Sequence, residues 1–259
     1  MLFFLLVGCR YEDASVVETG DTAAVDGASP DLFADPDVVG AVWPMVLLPP
    51  QMVKWLASRV AGEDRPCPAL TDRGDGQWTM VGDCTDSNGY EFTGIVEFEG
   101  ISTDWPWFGA AYSATWSTFG WYQGDAGTVL LSGTQTGTGS DRLDLLDSPL
   151  SITGSVMGED YHVVFAQHTM VGFAGMVSGS DPWSVIGVGD VDLGATTFNL
   201  TITSEGAYAD GCSAEPGSGE AVLTGPADAA MLSFDGAATC DGCIPYTTAS
   251  GATGTVCGG

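Results

Sequence analysis

Basic residues are scarce in this chain. Six Lys and Arg stand against 34 Asp and Glu, a formal net charge of −28 over 259 residues. Binding to nucleic acid needs clustered cations against phosphate, so nucleic acid is excluded as a partner. Docking on an anionic membrane through a basic patch is excluded for the same reason. Long apolar runs are missing too: none approaches the roughly 18 residues of a membrane-spanning helix. The familiar catalytic and nucleotide-binding patterns G-x-S-x-G, H-E-x-x-H and G-x-x-x-x-G-K-[ST] do not occur. With no nucleophile–base motif visible, the sequence gives no ground for assigning an enzyme. The acidic excess itself favours solubility and attracts cations.

The first nine residues are of another character. Leu2-Phe3-Phe4-Leu5-Leu6-Val7 is a short apolar run, followed by Gly8 and Cys9. Leu6-Val7-Gly8-Cys9 resembles the lipobox of bacterial lipoproteins. The resemblance implies cleavage before Cys9, lipid on that cysteine, and attachment to a membrane through it. Arg10 follows the cysteine where an aspartate would favour inner-membrane retention, so the resemblance leans towards the outer membrane. No Lys or Arg precedes the apolar run, whereas secretory signals open on a basic region. A start codon further upstream is therefore expected.

Apart from Cys9 the cysteines are Cys67, Cys84, Cys212, Cys240, Cys243 and Cys257, an even number. In an exported chain this points to three disulfides. Proximity favours Cys67–Cys84, with the other four closing the C-terminal region in a pairing that stays open. Cys240-Asp241-Gly242-Cys243 is also a CxxC, the pattern of redox and zinc sites. No βαβ pattern surrounds it and no second CxxC accompanies it, so structural disulfides are the stronger reading.

From Arg10 to about Asp37 the composition is acidic and poor in large apolar residues, as in a disordered tether. Pro49-Pro50 then suits a helix start. Met52, Trp55, Leu56 and Val60 follow near the helical period, with Lys54, Ser58 and Arg59 off that face. The expectation is one helix over Pro50–Ala61, capped by Gly62 and packed on a sheet.

From Gln77 the period changes to 2. Tyr90, Phe92, Gly94, Val96 and Phe98 share a face, with Ile95 out of pattern. Phe108, Ala110, Tyr112, Ala114 and Trp116 alternate, as do Leu150, Ile152 and Val156, and Phe198, Leu200 and Ile202. Further strands are expected near Val129–Thr134, Tyr161–His168, Trp183–Val191, Glu220–Thr224 and Ala230–Phe234. One face in a core and one in water is the antiparallel pattern. The fold class read here is all-β: an antiparallel meander forming a curved sheet, sandwich or barrel-like domain, with one N-terminal helix packed on it. The division is 1–8 signal segment, 9–37 lipidated cysteine and tether, and 38–259 a single β-rich domain whose part 206–259 is stapled by disulfides. An apolar–hydroxyl–glycine triplet recurs at Phe92-Thr93-Gly94, Leu131-Ser132-Gly133, Ile152-Thr153-Gly154, Val177-Ser178-Gly179 and Leu223-Thr224-Gly225. It reads as glycine kinks or bulges where strands curve.

Candidate sites are sparse. His162 and His168 share strand parity and lie about 20 Å apart along a strand, too far for one metal, and read as exposed strand histidines. Glu97 and Glu99 share a face about 6.6 Å apart, a spacing that suits paired carboxylates, but nothing in the sequence places a cleft there. Asp83, Asp86 and Asn88 faintly resemble a calcium loop, with Asp72 and Asp75 nearby; calcium is the one cofactor considered. Trp105, Trp107, Phe108, Tyr112, Trp116, Phe119, Trp121 and Tyr122 could line a pocket, although strand parity assigns many of them to the core. The functional expectation is a non-enzymatic exported lipoprotein, a binding or structural scaffold at the cell envelope. A carrier of an apolar ligand in a lipocalin-like cavity is the alternative, and a carboxylate-dependent hydrolase ranks third.

Overall fold

The computed structural model describes residues 32–62, 66–101, 111–122, 128–138, 142–144, 150–156, 159–172, 181–194, 196–209, 212, 215–236 and 238–257. A 3-10 turn at Leu32–Ala34 leads into helix α1, Pro36–Val60. Fifteen strands come after it among the described residues. They are β1 (Ala69–Gly74), β2 (Gln77–Val81), β3 (Cys84–Thr85), β4 (Glu91–Glu99), β5 (Tyr112–Tyr122), β6 (Thr128–Thr138), β7 (Arg142–Asp144), β8 (Leu150–Val156), β9 (Glu159–Val171), β10 (Trp183–Leu193), β11 (Thr196–Ala207), β12 (Ser218–Thr224), β13 (Ala229–Ser233), β14 (Cys243–Thr248) and β15 (Thr253–Cys257). All belong to one antiparallel sheet whose spatial order follows the chain, with β3 extending the lane beside β4 and β7 and β8 sharing the lane between β6 and β9. The all-β antiparallel architecture expected from the alternation is present. The C-terminal part is a continuation of the same sheet.

The helix is longer than expected. It begins at Pro36, and residues 32–37, which the composition assigns to the tether, belong to the folded body, with Phe33 buried. The start signal is in the sequence: Asp35 caps the helix by accepting the Asp37 amide at 2.9 Å, and Pro36 occupies the first helical turn. Pro44, Pro49 and Pro50 therefore lie inside the helix. An interior proline costs about 3 kcal/mol, because it lacks an N–H and crowds the preceding turn. Burial offsets this, since each fully buried Val, Leu or Met side chain contributes about 1.5–3 kcal/mol. Val39, Val46, Leu48, Val53 and Leu56 are fully buried on one half of the helix, and Trp43, Leu47 and Trp55 are buried on the other. Gly62, at φ +102°, closes the helix as the sequence indicates.

A helix apolar on every side must be surrounded, and the sheet does this. Trp43 packs on Phe234 with ring centroids 5.5 Å apart, beyond β13. Val46 is met by His168 of β9 and Pro49 by Gln135 of β6. Trp55 stacks on Phe92 of β4 and packs on Phe119 of β5. Arg59 donates to the Pro68 carbonyl at 2.7 Å, just before β1. Descending the helix thus means passing from late strands to early ones, so α1 crosses the strands and the sheet wraps it. Arg59 is buried, contrary to the solvent-side placement drawn from the helical period. The hydrogen-bonded order ends at β1 and β15 without closing into a barrel.

Backbone satisfaction explains how Pro50 is tolerated. Pro50 has no N–H to offer the Val46 carbonyl, and His168 Nε2 takes its place at 2.8 Å. Gln135 Nε2 donates to the Pro49 carbonyl at 3.1 Å. His168 is 1% exposed, against the expectation of an exposed strand histidine. The reason is a bulge. Val188 faces Gln167 and Gly189 faces Phe165, so Ala166 is an extra residue in β9 and parity reverses after it. A second bulge at Thr118 does the same in β5. Trp116, Phe119 and Trp121 all turn inward across it. Gly94 lies opposite that bulge at φ +73°, where a Cβ would come within 2.1 Å of the Thr118 carbonyl oxygen. The glycine-kink reading thus holds at Gly94 and also at Gly133, beside the same irregularity. Gly154 sits in regular pairing and Gly225 in a turn, while Val177-Ser178-Gly179 lies outside the described residues.

Three disulfides staple the sheet: Cys67–Cys84, Cys212–Cys240 and Cys243–Cys257. The two CxxC cysteines pair elsewhere, not with each other. Cys243 and Cys257 are directly opposite in the β14–β15 pair, fixing the short last edge strand. Peptide mapping without reduction should recover these three linkages. Cys67→Ser should lower unfolding free energy by about 2–4 kcal/mol in urea titration.

His168 supplies a pH-dependent test. Burial lowers its pKa from the usual 6.5 to about 4. Between these values the unfolded chain holds a proton on this imidazole that the folded chain does not. Stability from this group is therefore complete above pH 6.5 and is lost as pH falls towards 4, by on the order of 3 kcal/mol. Urea midpoints at pH 7, 5.5 and 4 should show this loss in the wild type. His168→Gln, which can still donate to Val46, should show a loss smaller by that amount.

Candidate functional site

With the interior filled by α1, chemistry is left to the outer face and the loops. The described residues of the aromatic cluster divide accordingly. Tyr112, Trp116, Phe119 and Trp121 are buried in the core around the helix, and Tyr122 is exposed. Cys9, Trp105, Trp107 and Phe108 lie outside the described residues.

Glu97 and Glu99 do share the outer face of β4, and both line a groove. It has a volume of about 560 Å³ and is lined also by Arg73 of β1, Gln77, Trp78 and Thr79 of β2, Phe98 of β4, and Ser113 and Thr115 of β5. Glu99 accepts from Gln77 at 3.3 Å and from Ser113 at 3.5 Å, and Arg73 Nε donates to Thr79 at 3.0 Å. The sequence places no cleft here. The groove arises because strands far apart in sequence put polar side chains on one curved face. Both carboxylates stand in solvent, so the lining is one of hydrogen-bonding groups of both charge signs.

The calcium candidates serve the turns. Asp86 Oδ1 accepts from the Asn88 amide at 2.8 Å and the Tyr90 amide at 3.0 Å, which builds the tight turn into β4. Asp72 does the same for the Gly74 amide at 2.7 Å. Among the described residues, no three His, Cys, Asp or Glu side chains are grouped to hold a metal ion, and this includes Asp83 and Asp86.

A polar chain that the sequence does not signal crosses four strands of the outer face. Ser151 Oγ of β8 lies 2.9 Å from His162 Nε2 of β9. His162 Nδ1 lies 3.4 Å from Asp192 Oδ2 of β10. Asp192 Oδ1 accepts from Thr197 of β11 at 2.7 Å. His162 and Asp192 are direct cross-strand partners, as are Asp192 and Thr197. The Thr197 hydroxyl is the first reason that the Asp192 carboxyl is held below its usual range, with His162 adding to it. Strand parity alone treats His162 and His168 alike, but the bulge at Ala166 separates them: His162 is 41% exposed at its side chain.

One buried carboxyl has no signal in the sequence. Glu215 is 2% exposed, between the loops joined by Cys212–Cys240. Its Oε1 accepts from the Asp241 amide at 3.2 Å and the Gly242 amide at 3.3 Å, holding the turn between Cys240 and Cys243. Among the described residues its Oε2 has no partner, nor has the buried Oδ1 of Asp235. Desolvation, with Asp241 and Asp235 nearby, raises the Glu215 pKa against the lowering effect of the two amides.

No protein-family model matches the chain, no curated protein matches it, and no solved structure matches it.

Glu215 yields a test with a definite sign. A raised folded pKa means that its contribution is greatest in acid and declines as pH rises through that pKa. Glu215→Gln keeps the acceptor and removes the charge. It should match the wild type near pH 4 and exceed it in thermal stability at pH 7.5. Glu215→Ala strands two amides and should cost about 1–3 kcal/mol at both.

Proposed function

We propose that this chain is an exported lipoprotein, anchored through Cys9, whose helix-filled sheet is a rigid scaffold presenting its outer face at the cell envelope. One observation carries the scaffold reading: the concave side of the sheet is occupied by α1. Trp43, Leu48, Trp55 and Leu56 fill the volume that a lipocalin-like carrier would keep for its ligand. Contacts with a partner then fall to the outer face. There the groove over Arg73, Gln77, Glu97, Glu99 and Ser113 offers a guanidinium, an amide, two carboxylates and a hydroxyl. That lining fits a polar, hydrogen-bonding ligand.

Three disulfides support an oxidising compartment. The acidic outer face gives the domain no means of holding an anionic membrane, so attachment is assigned to lipid on Cys9, with Arg10 favouring the outer membrane. Two or more acyl chains anchor stably where a single chain binds reversibly.

Expression behind a leader with a basic first region tests this. Wild type should fractionate with the outer membrane and incorporate labelled palmitate. Cys9→Ser should be released in soluble form and carry no label. Soluble, unlabelled wild type would remove the anchor from the proposal.

A further inference from the structure

We propose that Ser151, His162 and Asp192 form a nucleophilic site on the outer face, competent to cleave unhindered carboxylic esters. The inference goes beyond the scaffold reading, and rests on the distances of this chain of groups. A carboxylate accepts only, so Asp192 assigns the imidazole proton to Nδ1, at 3.4 Å. Nε2 is then left as an acceptor, and the Ser151 hydroxyl lies 2.9 Å from it. This is the relation of nucleophile, base and orienting acid that activates a serine, recognised by geometry and not by position in a motif. The longer imidazole–carboxylate contact is of the kind that tightens only with substrate bound. Thr197, at 2.7 Å from the other Asp192 oxygen, fixes the carboxylate in turn.

The chemistry balances without any further reagent. As Ser151 Oγ bonds to the ester carbon, its proton passes to His162 Nε2. The bond from that carbon to the alkoxy group breaks, and the proton leaves with the alcohol. Water then attacks the acyl-serine, giving up a proton to His162, and the acid departs as Ser151 regains it. Asp192 is a positioning residue throughout.

The surroundings define the substrate class. Sheet amides are committed to their ladders, so the developing oxyanion must take hydroxyl donors. Ser132 lies opposite Ser151 in the β6–β8 pair, and Thr153 stands two residues along on the same face. With the site on an open strand surface, the ester must be accessible rather than enclosed, and turnover is slow.

A fluorophosphonate probe on the intact protein tests the assignment, since it bonds to an activated serine with loss of fluoride. Mass spectrometry should place it on Ser151, and p-nitrophenyl acetate should give a burst of p-nitrophenol. His162→Gln should slow both by about a hundredfold or more, and Ser151→Ala should abolish them. In the wild type, nitrogen NMR of the His162 ring should find the proton on Nδ1, and in Asp192→Asn on Nε2. All these side chains face solvent, and unchanged circular dichroism certifies the fold of each variant. Absence of label on Ser151, or equal labelling in His162→Gln, overturns the proposal and leaves a cross-strand polar ladder.

Discussion

The fold depends on one exchange of hydrogen bonds. A helix carrying three interior prolines gives up backbone bonds that it could not lose in an apolar interior without replacement. His168, 122 residues away in sequence, restores a donor to the Val46 carbonyl that Pro50 leaves without one, and Gln135, 86 residues away, adds a donor to the Pro49 carbonyl. An unmet buried carbonyl would cost about 1–3 kcal/mol. The same contacts determine where the sheet sits on the helix, because only one position puts both side chains at the broken turn. Apolar packing drives the wrapping but is tolerant of sliding; these two polar contacts are not. The first of them also couples folding to the protonation of His168, because burial favours its neutral form down to about pH 4.

Much of this is legible from residues alone. The alternation at Phe92, Val96 and Phe98, and at Phe198, Leu200 and Ile202, reports a half-buried sheet because the side-chain period of a strand is fixed. Ile95 is out of that pattern and lies on the outer face. The exceptions are local. Thr118 and Ala166 are ordinary residues that carry no mark of a bulge, yet each reverses the parity of the residues after it. That is why strand parity assigns His168 to water. The helix start is obscured for the opposite reason. Pro49-Pro50 is a strong local signal for a beginning, and tertiary burial overrides it, while the truer signal at Asp35-Pro36 lies in a segment acidic enough to pass for tether.

The candidate sites escape a sequence reading for a topological reason. Ser151, His162 and Asp192 are separated by 11 and 30 residues, and neither interval corresponds to a motif. They meet because β8, β9 and β10 are sheet neighbours in a register that puts His162 opposite Asp192. Glu97 and Glu99 are visible as a pair, since residues two apart on a strand share a face. Their groove is not, because it also needs β1, β2 and β5. In a meander, sequence shows what each strand offers to each face; pairing decides what those offers become together.

The division of labour between the faces has the same origin. Inside, two charged side chains are buried among the described residues: Arg59, whose guanidinium is bonded to the Pro68 carbonyl, and Glu215, whose carboxyl holds the Asp241 and Gly242 amides. Outside, acidic, hydroxyl and amide side chains stand beside exposed apolar ones such as Ile95, Ile186 and Val188, and hydrogen-bonded ladders such as Thr197–Asp192–His162–Ser151 form across strands without disturbing the core. An activated serine on such a face needs little from the fold beyond register, because the sheet already holds its partners on neighbouring strands about 4.8 Å apart. Stability and surface chemistry are thereby decoupled: the outer face can change residue by residue while the helix and its two polar anchors keep the sheet in place.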